Sequence, residues 1–88
     1  MAEIILYTTP VCPYCVRAKD LLKRKGQMQF TEIDVSQSAE VREDMMKKSG
    51  GKRSVPQIFI NGTHVGGCDD LYAMESAGKL DALLAGTA

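Results

Sequence analysis

The chain has 88 residues, 44% of them hydrophobic and 25% charged, a balance that belongs to a globular chain rather than a disordered or membrane-spanning one. That length allows one domain, spanning residues 1–88, with a core small enough that a staple such as a metal or a disulfide is worth looking for. Eleven basic and eleven acidic residues cancel, so the basic excess that drives nucleic-acid binding is missing.

Met1-Ala2-Glu3 offers no basic n-region, and the apolar run behind it is too short for a secretory signal. Nothing approaches the roughly 20 apolar residues of a membrane span, so a cytoplasmic chain with no membrane partner is expected. Glu3 to Thr8 reads as a first strand, its Ile4-Ile5-Leu6-Tyr7 stretch suited to burial on both faces. Thr9-Pro10-Val11 breaks it. Pro13 fits the first turn of a helix that runs to about Lys25, where its missing N–H costs nothing. Cys15, Ala18, Leu21 and Leu22 make the apolar stripe of that helix, and Gly26 supplies the residue after its end.

Met28 to Val35 reads as a second strand with rough alternation. Ser36 and Ser38 are candidate caps for a helix over Ala39–Ser49, whose Glu43/Lys47 and Asp44/Lys48 spacings suit ion pairs on a solvated face. Gly50-Gly51 stops it. Gln57-Ile58-Phe59-Ile60 is a third strand, Asn61-Gly62 a hairpin turn, and His64-Val65-Gly66 the return strand. Asp69 or Asp70 then caps a helix over Leu71–Ala77, and Leu80, Leu83 and Leu84 form a last apolar stripe after Gly78. The order βαβαββα predicts an α/β fold: a four-stranded mixed sheet with helices on both faces. Its two βα units are expected to pair their strands in parallel, and the hairpin adds an antiparallel edge.

Three cysteines, Cys12, Cys15 and Cys68, are an odd number, which suits a secreted disulfide framework poorly. Cys12-Pro13-Tyr14-Cys15 falls where a strand ends and a helix begins. There, unpaired N–H groups and the positive end of the dipole favour a thiolate at Cys12 over a thiol. Cys15, a turn later on the apolar stripe, is expected to be buried and to resolve a mixed disulfide by thiol exchange, with no tightly bound cofactor. Arg17 and Lys19 either add positive potential or lie on an exposed face. A competing reading takes Cys12, Cys15, His64 and Cys68 as zinc ligands; the Gly66-Gly67 turn between the last two and the helix-opening position of the first two argue against it. His64 is expected to be an exposed hairpin residue, and Cys68 a small, semi-buried neighbour of the site.

Together with Ser54-Val55-Pro56 and Gly66-Gly67-Cys68-Asp69-Asp70, the Cys-Pro-Tyr-Cys segment resembles the signature of the bacterial dithiol glutaredoxins, a thioredoxin-like family, and the resemblance covers nearly the whole chain. It implies a monomeric, glutathione-dependent oxidoreductase that acts on disulfide-bonded and glutathionylated proteins, with glutathione as cosubstrate. It also implies a glutathione site made of Tyr14, Arg42, Arg53, Val55, Pro56, Cys68, Asp69 and Asp70. Pro56 matches the family's cis proline, which lets Val55 pair with the cysteinyl backbone like an added strand. Asp69 and Asp70 open a helix whose N–H groups would hold the γ-glutamyl carboxylate, an Asp side chain answering the ammonium. Many members carry a lysine three residues before the first cysteine; Thr9 stands there here, so the glycyl carboxylate falls to Arg42 or Arg53. The Gly50-Gly51-Lys52-Arg53 loop is also slightly longer than in close relatives. Two other functions compete. A redoxin reduced directly by a flavoprotein is disfavoured by Tyr14 and the Gly-Gly-Cys-Asp-Asp segment. An iron–sulfur carrier is disfavoured by Pro13, since cluster-binding members usually lack that proline.

Overall fold

The computed structural model describes residues 3–27 and 30–86. Strand β1 (Ile4–Thr8) leads through α1 (Pro13–Arg24) to β2 (Thr31–Asp34) and α2 (Ala39–Lys48). Then follow β3 (Gln57–Ile60), β4 (Thr63–Gly66), α3 (Cys68–Ser76) and a short α4 (Leu80–Leu84). The second strand is shorter than its sequence suggests, and the expected start at Met28 and Gln29 lies outside the described residues. The sheet order is β2-β1-β3-β4, mixed and flanked by helices, which is the thioredoxin-like fold in the expected βαβαββα order. Its last helical region is split at Gly78, whose φ of +74° ends α3.

Parallel pairing holds for β1 with β2 but not for the second βα unit. β3 runs antiparallel to β1, with Tyr7 opposite Gln57 and Ile4 opposite Ile60. The physical reason is the path after α2: residues 49–56 carry the chain back to the end of the sheet where β1 hands over to α1. β3 therefore starts beside that end and runs away from it, which brings Val55 and Pro56 to the same edge as Cys12.

Alternation along β1 divides the core between the two faces. Ile4 and Leu6 pack with Ile58 and Ile60 against Ala18, Leu21 and Leu22 of α1, Leu71 of α3 and the three leucines of α4. Tyr7 and Val35 pack on the other face against Met45 of α2, with Ile5, Ile33, Val41 and Phe59 around them. Each fully buried leucine or isoleucine contributes about 1.5–3 kcal/mol, and the larger cluster holds α1 and α3 side by side. Their relative position is also fixed by Tyr72, whose hydroxyl donates to Arg17 O and accepts from Arg24 Nη2, both at 3.2 Å.

Local signals act where the sequence put them, with two exceptions. Ser38 caps α2, its Oγ accepting the Val41 N–H at 3.4 Å, whereas Ser36 turns back to Asp34 Oδ1 at 2.6 Å. Asn61 and Gly62 both have positive φ, +51° and +81°, as a two-residue hairpin of this hand requires. The second exception is α3, which opens at Cys68 rather than Leu71 and is capped by Gly67 rather than by Asp69 or Asp70. Asp70 sits at the third helical position and reaches back, its Oδ2 accepting the Gly67 N–H at 3.0 Å.

Candidate active site

Cys12 occupies the N-cap of α1 with extended backbone, and Pro13 follows as the first helical residue. Its sulfur accepts the Cys15 N–H at 3.3 Å, the place a serine or aspartate oxygen fills in an ordinary cap. The same sulfur lies 3.9 Å from Val55 O, across from the loop that ends in the cis Val55–Pro56 bond. Cys12 is half-buried, and Cys15, a turn deeper, is 2% exposed. Burial first, and then the hydrogen bond with Cys12, push the Cys15 thiol up to about 12. All three cysteines are free thiols. The pair therefore consists of one accessible sulfur fed by a helix N–H and one sequestered sulfur held as a thiol within reach of it.

The basic residues of α1 point in different directions. Arg17 lies over the Tyr14 ring, 5.8 Å from its centroid, and Lys19 pairs with Glu32 at 3.2 Å. Around the Cys12 edge, Val11, Tyr14 and Val16 are the large hydrophobic side chains left exposed among the described residues.

Between the 52–57 segment, β4 and the start of α3 runs a groove of about 400 Å³; Cys12 and Cys15 are not part of its lining, and Cys12 adjoins it through Val55. The groove gathers Tyr14, Val55, Pro56, Cys68, Asp69 and Asp70, six of the residues expected there, into one wall. Arg42 and Arg53 are exposed and are not part of that lining. Lys52 is, and so are Ser54, Gln57 and His64, none of which sequence reasoning assigned to the site. Cys68 is more deeply buried than expected, 6% exposed, as the first residue of α3; burial and the neighbouring Asp69 charge raise its thiol. His64 does stand exposed on the hairpin, but it stacks on Phe59 with centroids 4.9 Å apart and meets Gln57 Oε1 at 2.8 Å. Among the described residues no three His, Cys, Asp or Glu side chains cluster as metal ligands would. Nor is any described helix long and apolar enough to cross a membrane.

The fold and this pair of thiols define a thiol–disulfide oxidoreductase of the thioredoxin-like class. Residues 4–65 match the glutaredoxin family pattern. The chain is 56% identical over 84 residues to a glutaredoxin of Pseudomonas aeruginosa, covering 96% of this chain and 98% of that one. It superposes on the solution structure of a Brucella melitensis glutaredoxin with a TM-score of 0.81, at 58% identity over 96% of this chain and 89% of that one. A buckwheat glutaredoxin–glutathione complex superposes with a TM-score of 0.85, at 28% identity over 98% of this chain and 79% of that one. The chain belongs to the glutaredoxin family. It is an enzyme of that family, and its thiol–disulfide chemistry is carried by the Cys12–Cys15 pair.

Proposed function

We propose that the protein reduces protein disulfides and glutathione mixed disulfides at the expense of glutathione, with Cys12 as nucleophile and Cys15 as resolving thiol. The observation that carries this reading is a half-buried, helix-capping sulfur 3.9 Å from the carbonyl of Val55, a residue that lines a groove large enough for a tripeptide. With a glutathionylated protein, the Cys12 thiolate attacks the glutathione sulfur; the protein thiolate leaves and takes up a proton. A second glutathione thiolate then attacks the Cys12–glutathione disulfide, releasing glutathione disulfide and the Cys12 thiolate. With a protein disulfide, Cys12 forms a mixed disulfide and Cys15 loses its proton to displace the protein's sulfur, leaving a Cys12–Cys15 disulfide that two glutathione molecules reduce. Because burial holds Cys15 protonated, it does not compete with Cys12 for the first attack.

In this reading the Val55 backbone pairs with the cysteinyl part of glutathione, Pro56 and Tyr14 bound it, and Cys68 forms the groove floor beneath. The γ-glutamyl end meets the start of α3. Asp70 already accepts the Gly67 N–H, which leaves Asp69 as the carboxylate for the ligand's ammonium. The glycyl carboxylate goes to Lys52, which lines the groove, in preference to Arg42 and Arg53, which do not. The protein works as a cytoplasmic monomer, its partners glutathione and oxidised or glutathionylated proteins. The test is a coupled assay that compares two electron sources, glutathione with its reductase and thioredoxin reductase. Turnover with the first and none with the second is expected; the reverse would refute the glutathione assignment.

A further inference from the structure

Gln57 is a polar side chain in the core, 2% exposed, at the first position of β3. A buried amide is tolerated only when its donors and acceptor are matched, and here they are. Its Nε2 donates to Ser54 O at 2.9 Å and meets Ser54 Oγ at 3.3 Å. Its Oε1 faces His64 Nε2 at 2.8 Å. An amide oxygen cannot donate, so His64 is the donor and carries its proton on Nε2 in the neutral and the charged ring alike. The far side of the imidazole rests on Phe59, the rings inclined at 34°. His64 comes level with Phe59 through the regular register of the hairpin, which sets Ile60 opposite Thr63; the β3–β4 ladder slips only beyond that pair, where Ile58 meets Gly66. The chain of contacts therefore runs from the β4 edge, through His64 and Gln57, to the backbone of Ser54. Ser54 is bonded to Val55, whose carbonyl faces Cys12 Sγ at 3.9 Å. Both Gln57 and His64 also line the groove.

We infer that Gln57, oriented by His64, is a positioning residue of the groove: it fixes the Ser54 backbone and thereby the Val55 peptide against which the substrate's cysteinyl unit docks. The inference rests on the glutathione reading above. It concerns how the docking strand is held and adds no group that reacts.

The test uses Gln57→Leu, which keeps the volume and removes both hydrogen-bonding ends, together with His64→Ala and the double variant. Three quantities are read for each: the glutathione KM and kcat, the melting temperature, and backbone order at Ser54 and Val55 by ¹⁵N relaxation. Gln57→Leu should raise the glutathione KM about fivefold, the effect of losing a neutral hydrogen bond, with kcat changed far less. Order at Ser54 and Val55 should fall. His64→Ala should raise KM about twofold, in line with a weaker effect through the same amide. The double variant should be no worse than Gln57→Leu, because the two residues act in series. His64→Asn, which restores a donor to Gln57 Oε1, should recover most of the His64→Ala loss. A Gln57→Leu protein with unchanged KM and unchanged order, or additive effects of the two substitutions, overturns the inference. If wild-type protein shows no turnover with glutathione, the proposed function fails instead, and the clamp is then judged by the order measurements alone.

Discussion

Gly66 precedes the cap of α3 at a φ of +116°, a backbone region that side-chain-bearing residues rarely enter. A Cβ built there would collide with Asp70 Oδ2 and lie 2.8 Å from Asp70 Cγ. Gly66→Ala therefore has two costs. Holding alanine in that conformation costs about 1–3 kcal/mol. Displacing the Asp70 carboxylate from the Gly67 N–H forfeits that hydrogen bond, a further ~0.3–1.5 kcal/mol. The sum, about 1.3–4.5 kcal/mol, should lower the urea midpoint by about 0.4 M or more at the slopes of about 1–3 kcal/mol per M usual for small domains. Gly67→Ala is the internal control: Gly67 has an ordinary φ of −90°, and its added Cβ would meet only Pro56 O, at 3.4 Å. It should cost markedly less. In an Asp70→Ala background the contacts with Oδ2 and Cγ disappear and only the Cβ of residue 70, 3.0 Å away, remains, so Gly66→Ala should retain little more than the conformational part of its cost. Equilibrium urea unfolding of the four proteins closes the cycle. A Gly66→Ala midpoint within about 0.2 M of wild type, outside the slope-based expectation, would refute this account of the α3 start.

Two further outcomes follow from the site. Lys52→Ala should raise the glutathione KM about tenfold, the scale of one charged hydrogen bond partly screened by water, whereas Arg42→Ala should leave it near wild type; steady-state kinetics of both variants decides between the cations. The reduced protein should lose stability at alkaline pH because burial raises Cys15 in the folded chain, to about 12, while the unfolded thiol titrates near ~8.5. A raised thiol favours folding fully below the unfolded value, and that contribution drains away as the pH climbs from about 8.5 towards the folded value. Urea midpoints of the reduced protein between about pH 8 and 10 should fall more steeply than those of Cys15→Ser; parallel slopes would contradict the buried-thiol assignment.

Much of this architecture was legible in residue order because its signals are local. The Ile-Ile-Leu-Tyr strand, the Pro13 helix start, the Asn61-Gly62 turn and the Cys-x-x-Cys spacing each act within a few residues, and the elements they mark are present. The errors arose where the cause is not local. Asp69 and Asp70 have cap chemistry, but the cap itself is a glycine with no side chain to mark it, and Asp70 acts from the third helical position, so α3 starts earlier than those two residues suggest. The sense of β3 depends on how residues 49–56 return to the Cys12 edge, a path that the two glycines permit without dictating. The same path decides that Lys52 rather than its neighbour Arg53 lines the groove, which two adjacent basic residues in a loop cannot reveal. Gln57 read simply as the polar first residue of a strand. Its place in the site depends on His64, which the hairpin register sets opposite Phe59.

The central claim is that the two sulfurs have separate duties, and initial rates of Cys12→Ser and Cys15→Ser on two substrates test it most directly. One substrate is a glutathione mixed disulfide, which needs only Cys12; the other is a protein disulfide, which needs Cys15 to release the mixed intermediate. Cys12→Ser should abolish both reactions. Cys15→Ser should keep most or all of the first and lose most of the second. Equal losses for Cys15→Ser on the two substrates would contradict the account, because both reactions would then run through the dithiol.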